Sequence, residues 1–127
     1  MLVHVIDCLC SDQKPLSFDT IVMMLGVRYR SYCSNLIRTM LVDPSPKVCE
    51  AYELLLETEQ LLLDQLVPGA RLEDVYQAAT EHVEKTNAAL AQKMTRSLGF
   101  VTGIEFREGT LQIAPKMPQQ LLAGEYG

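Results

Sequence analysis

The pattern of apolar and polar positions divides the chain into strand-like and helix-like stretches. From Phe18 to Val42 it suits strands. "TIVMMLGV" is a short, continuous apolar run, as predicted for a strand buried on both faces. "RYRSYCS" alternates more loosely, and "NLIRTMLV" is apolar again. Gly26 and the Ser34-Asn35 pair are the predicted turn points. "DPSPKV" then marks a boundary. Ser45 is placed to cap a helix, and Pro46 suits its first turn, where a missing N–H costs nothing. That helix is predicted to run to about Leu66 and to stop at Val67-Pro68-Gly69. Val48, Tyr52, Leu55, Leu62 and Leu66 lie near one face, which Leu54 and Leu61 widen.

A second helix is predicted in "ARLEDVYQAATEHVEKT", where Leu72, Val75, Tyr76, Ala79 and Val83 form a helical stripe. A shorter one is predicted in "AALAQKMTRSLG", with Leu90, Met94 and Leu98 in line and Gly99 at its C-terminal cap. "GIEFRE" and "TLQIAP" then alternate around Glu108-Gly109, a predicted hairpin turn. "QQLLAGEYG" reads as the approach to a further strand. Strands, helices, then strands again make an α+β layout, with two or three helices on one face of a curved, mostly antiparallel sheet.

Composition narrows the function classes. At 127 residues the chain is predicted to be one domain with a real core. No stretch approaches the ~20 apolar residues of a membrane helix, and no secretory signal is visible in "MLVHVIDCLC", so the expectation is a soluble intracellular chain. A net charge of −5 disfavours direct grip on a nucleic-acid backbone and is compatible with a basic protein partner. Cys8, Cys10, Cys33 and Cys49 lack zinc-site spacing and are predicted to be reduced, packed thiols.

The stretch "YRSYCSNLIRT", Tyr29 to Thr39, with "MLG" before it and "LGFVTGIEFRE" later, resembles the pita-bread fold of methionine aminopeptidase, proline dipeptidase and creatinase. The resemblance covers about Phe18 to Ile113. In metal-dependent members two aspartates, a histidine and two later glutamates hold two metal ions, which activate a bridging water. By that resemblance the first aspartate position falls on Met24, the second on Asn35 and the metal histidine near Phe100. A histidine that serves substrate falls on Arg107. Hard divalent cations need anionic oxygen or imidazole ligands, and a thioether, a neutral amide and a phenyl ring do not replace them. The expectation is therefore no catalytic residue, no metal and no cofactor.

"YRSYCSNLIRT" followed by "VDPS", and later "GIEFREG", closely resembles the large-subunit family of the eukaryotic FACT histone chaperone, whose N-terminal region holds an inactive aminopeptidase-like domain. The resemblance implies a non-enzymatic chromatin module in the nucleus, on chromosomes. It would bind histones or nucleosomes and assist their reorganisation in transcription, replication and repair. The smaller FACT subunit would join through the full-length protein. Residues 1–127 then represent one incomplete pita-bread domain, truncated at both ends relative to the family. A divergent metallopeptidase of the methionine aminopeptidase or prolidase type is the alternative. So is a bare scaffold whose histone contacts are made elsewhere.

Candidate histone or peptide contacts are Asn35, Arg38, Glu105 and Arg107. Arg38 also suits a structural pairing with a carboxylate. Arg107, flanked by Glu105 and Glu108, fits either a cleft wall or an exposed strand pair. His4 and His82 are isolated in sequence, and His82 is expected to be structural. Tyr29 and Tyr32 are expected to pack in the core or as a cross-strand pair.

Overall fold

The computed structural model describes Pro15 and residues 18–117. Its elements are β1 (Thr20–Tyr29), β2 (Tyr32–Leu41), α1 (Pro46–Gln65), α2 (Leu72–Thr86), α3 (Ala88–Ala91), β3 (Gly99–Phe100) and β4 (Gln112–Ile113). This is the predicted α+β order. Among the described residues the strands form two antiparallel two-stranded sheets, β1–β2 and β3–β4. His4, Cys8, Cys10 and "QQLLAGEYG" lie outside the described residues.

The first hairpin corrects the turn prediction. Tyr29 pairs with Tyr32, so the turn is Arg30-Ser31. Both residues have positive φ, 46° and 73°, the backbone of a type I′ turn. Arg-Ser lacks the Asn-Gly signature of such turns, which is why the sequence pattern did not reveal it. Gly26, predicted to break the strand, instead sits inside β1 opposite Asn35. The prediction of a strand buried on both faces also fails: β1 is exposed along most of its length, because β2 is its one sheet neighbour among the described residues. Tyr29 and Tyr32 are the expected cross-strand pair, yet they stand exposed at the hairpin tip.

The first two helices span close to their predicted bounds. Ser45 is the N-cap of α1, but its side chain makes no capping hydrogen bond; its backbone carbonyl accepts from Val48 and Cys49, and Pro46 opens the helix. The helix stops in a turn in which the Ala70 N–H donates to the Val67 carbonyl. Pro68 and Gly69 are the central residues of that turn, and Gly69 has φ +91°, the arrangement of a type II turn. The buried stripe of α1 is Leu54, Thr58 and Leu62, rotated from the predicted face. Thr58 is tolerated there because its hydroxyl donates to the Leu54 carbonyl at 2.7 Å. On α2 the predicted stripe holds: Leu72, Val75, Ala79 and Val83 are buried and Tyr76 is half-buried. Leu62, Leu72, Val75, Ala79 and Ile113 form the core where α1, α2 and β4 meet.

The third predicted helix shrinks to Ala88–Ala91, capped by the Asn87 side chain accepting from the Leu90 N–H. Beyond it the hydroxyls of Thr95 and Ser97 donate to the carbonyls of Ser97 and Gly99, a local alternative to helical bonding. Gly99 therefore opens β3 rather than capping a helix. The turn after Glu108 falls where predicted, closed by the Leu111 N–H on the Glu108 carbonyl. "GIEFRE", however, is not a strand of that hairpin, and its polar backbone groups are directed elsewhere.

Candidate functional site: a strap across the hairpin

Side chains alternate faces along a strand. With the turn at Arg30-Ser31, Met24, Gly26 and Arg28 share a face with Cys33, Asn35 and Ile37. Residues 103–106 cross this face as a strap. The strap begins at the free edge of β2, where the Cys33 N–H donates to the Gly103 carbonyl at 2.6 Å. The Cys33 thiol donates to the Ile104 carbonyl at 3.3 Å and accepts from Arg28 Nε at 3.2 Å. Asn35 Nδ2 then donates to the Phe106 carbonyl at 2.6 Å. These partners satisfy backbone groups that β4 does not, which explains why "GIEFRE" leaves its own hairpin.

The strap lies close because Gly26 has no side chain. A Cβ there would come within 2.9 Å of the Phe106 ring and 3.0 Å of Asn35 Oδ1. The Arg28 guanidinium stands 5.4 Å from the centroid of the same ring, a cation–π contact. Asn35 Oδ1 is buried without a hydrogen-bond partner. The amide orientation follows from chemistry, since only the N–H end can donate to a carbonyl.

Of the predicted residues, Asn35 and Arg38 stand on opposite faces of the hairpin, Glu105 lies in the strap that crosses it, and Arg107 directly follows the strap. Asn35 meets the strap directly, between the positions of Glu105 and Arg107. Glu105 is exposed, and its backbone N–H donates to Glu108 Oε1 at 3.1 Å. Arg107 is half-buried: it donates to Gln112 Oε1 at 2.9 Å and lies 5.3 Å from the centroid of the Phe100 ring. Arg38 pairs with Met23 on the opposite face and donates to the Ile37 carbonyl. Met24 shares the face of Asn35, diagonally across the hairpin. His82 lies beside the α2 stripe, with Nε2 3.9 Å from a Glu57 carboxylate oxygen. Cys33 is a buried free thiol, as predicted, and Cys49 is free and half-buried. Among the described residues no three His, Cys, Asp or Glu side chains gather closely enough to hold a metal ion.

Sequence reasoning missed Gly26, Arg28, Cys33 and Phe106 as parts of this site. A period-two count from a turn at Arg30-Ser31 places the hairpin members on one face. The strap itself is a long-range contact, with 71 residues separating Asn35 from Phe106, and it leaves no local signal. A further cavity, about 570 Å³, opens between the far end of the hairpin and α1, bordered by Val22, Ile37, Tyr52 and Leu55.

Comparison with known proteins places this geometry. The model of metallopeptidase family M24 matches residues 2–126. The chain is 41% identical over 108 residues to the FACT complex subunit SPT16 of Oryza sativa subsp. japonica, covering 85% of this chain and 10% of that protein. It is similar in structure to the N-terminal domain of FACT complex subunit SPT16 from Cicer arietinum (chickpea), with TM-score 0.86 and 37% identity over 94% of this chain and 29% of that one. The prolidase from Pyrococcus furiosus gives TM-score 0.78 and 26% identity over 92% of this chain and 34% of that one. The chain thus spans 10% of the length of the curated relatives it matches. The pita-bread expectation is borne out, and so is the resemblance to the FACT large subunit.

Proposed function

The chain belongs to metallopeptidase family M24, and from its likeness to SPT16 subunits we propose that it serves as a non-enzymatic chromatin module of a FACT-type complex. In this reading it binds histones in the nucleus and assists nucleosome reorganisation. The likeness to SPT16 subunits supports the assignment, and the family resemblance supplies the partner. The smaller FACT subunit would be engaged through the full-length protein. The observation that carries the non-enzymatic reading is the hydrogen bond from Asn35 to the Phe106 carbonyl. An amide donor occupies the position where a metal-dependent relative needs an anionic ligand, and it is directed at protein backbone.

The neighbouring positions fit a metal no better. Met24 offers a thioether, a poor donor to a hard cation. Phe100 offers a ring face that already carries the Arg107 guanidinium, so a positive charge stands beside the position a cation would need. Asn35 Oδ1 is an orphaned oxygen, but it is neutral and alone. These residues do not fit a dinuclear metal site, and no hydrolytic step is assigned to them. A divergent metallopeptidase is the competing account, favoured by the family M24 match and by the likeness to prolidase.

For histone contact the geometry favours Glu105 and Arg107, which flank the backbone position that Asn35 holds. Arg38 would contribute from the opposite face, to a partner that wraps the hairpin edge. Calorimetric titration of a core histone complex into the full-length protein tests the assignment. Arg107→Ala is expected to weaken binding several-fold. Unchanged affinity would remove Arg107 from the contact surface. Cleavage of Pro-containing peptides that a chelator abolishes would instead establish the metallopeptidase account.

A further inference from the structure

We propose that Asn35 is a positioning residue that latches residues 103–106 over the hairpin, closing the face on which metal ligands stand in related enzymes and fixing the backbone between Glu105 and Arg107. The latch is a separate claim from histone contact. Only its consequence for Glu105 and Arg107 rests on the proposed function.

Several independent contacts converge on this short segment. Cys33 holds its first half through the backbone N–H to Gly103 and the thiol to Ile104. Asn35 holds its second half through Phe106. Gly26 leaves the space that the Phe106 ring needs, and Arg28 lies against the same ring. Phe106 is nevertheless 38% exposed, so burial alone does not retain the strap. Asn35 also gives up solvent at Oδ1 without a compensating hydrogen bond. Glycine opposite the ring and an amide under the carbonyl are the choices that let the strap lie flat.

The chemistry is asymmetric in a way that makes the claim testable. An aspartate is nearly the same size as asparagine, yet its carboxylate has no proton to donate to the Phe106 carbonyl. Asn35→Asp therefore places two oxygens against each other and invites Arg28 toward the new charge. The acidic residue that metal-dependent relatives use at this position would open the strap here. Asn35→Leu removes the donor without adding charge.

Cys33 is a built-in reporter, because it is 6% exposed and its thiol faces the strap. The experiment uses the 127-residue chain with Cys8, Cys10 and Cys49 changed to serine, labelled with a maleimide at neutral pH. Loss of one hydrogen bond predicts a rise in Cys33 labelling on the order of tenfold for Asn35→Asp, and less for Asn35→Leu. Gly26→Ala approaches the strap from the other side and should also raise labelling. In each variant the faster hydrogen exchange should be confined to residues 101–108, with helical circular dichroism unchanged. Labelling that stays unchanged in both Asn35 variants would overturn the proposal. If the variants lose their helical signal, the unsubstituted chain decides by NMR. Slow exchange of the Asn35 side-chain amide protons is expected, and exchange at the rate of an exposed asparagine would overturn the latch. Histone binding gives the second readout. Binding lost in Asn35→Asp with Glu105 and Arg107 intact supports positioning, whereas an open strap with full binding would confine Asn35 to a structural role.

Discussion

The β1–β2 hairpin and the α1–α2 layer are neighbours in the chain built on opposite principles. The hairpin carries Arg28, Arg30 and Arg38 as its only charged residues and exposes Leu25, Val27 and Leu36. The helices are rich in acids, including Glu50, Glu53, Glu57, Glu73, Asp74 and Glu81, and bury their apolar stripes against each other and β4. Hydrogen bonds and a tight turn set the shape of the hairpin. Exclusion of water sets the shape of the helical layer. The stretch "YRSYCSNLIRT" stands on the hairpin, where only Cys33 and Ile37 of its residues are buried. The helices supply the stability on which that exposure depends.

Substitutions at matched apolar positions should separate the two regions most sharply. Leu72, 2% exposed at the start of α2, is expected to cost about 2–5 kcal/mol on change to alanine. Leu25, 64% exposed on β1, should cost no more than ~0.5 kcal/mol. Urea unfolding of the two variants measures the contrast. Equal losses would show that the hairpin is packed as firmly as the helices.

Gly26→Ala sharpens the comparison from within the hairpin. The new methyl meets an aromatic ring on a short strap, so the cost should be roughly 1–3 kcal/mol, an overpacking effect in an otherwise exposed sheet. A fully tolerated alanine, by the same unfolding measurement, would place the strap farther from β1. Thr58→Val is expected to be milder than Gly26→Ala, within about 1 kcal/mol. It removes a hydroxyl together with its local bond to Leu54 and keeps the shape that α1 buries. A larger loss would indicate that the hydroxyl has a second task.

The same contrast explains how much was legible in the sequence. The α2 stripe and the stop at Pro68-Gly69 could be read because helix period and turn chemistry are local properties. The hairpin's existence was legible, but its turn was not, since Arg30 and Ser31 adopt positive φ without the residues that usually signal it. Asn35 was singled out by its departure from a motif. Its partner was hidden, because Phe106 reaches it through a contact that no window along the chain contains. "GIEFRE" alternates like a strand, yet its Gly103, Ile104 and Phe106 carbonyls are taken by Cys33 and Asn35 rather than by β4.

Charge supplies a weaker test of the same contrast. The cationic hairpin sits in a chain of net charge −5, so any grip on naked duplex DNA should be weak and should fade with salt. Fluorescence anisotropy across a salt series checks this, and nanomolar binding near physiological salt would contradict it.

On the proposed reading, the hairpin face of Met24 and Asn35 works without a metal ion. Elemental analysis of the purified protein, after exposure to manganese, cobalt or zinc and then dialysis, tests it most directly. The account predicts far less than one ion retained per chain, whereas about two tightly held ions, the stoichiometry of a hydrolytic dinuclear site, would contradict it.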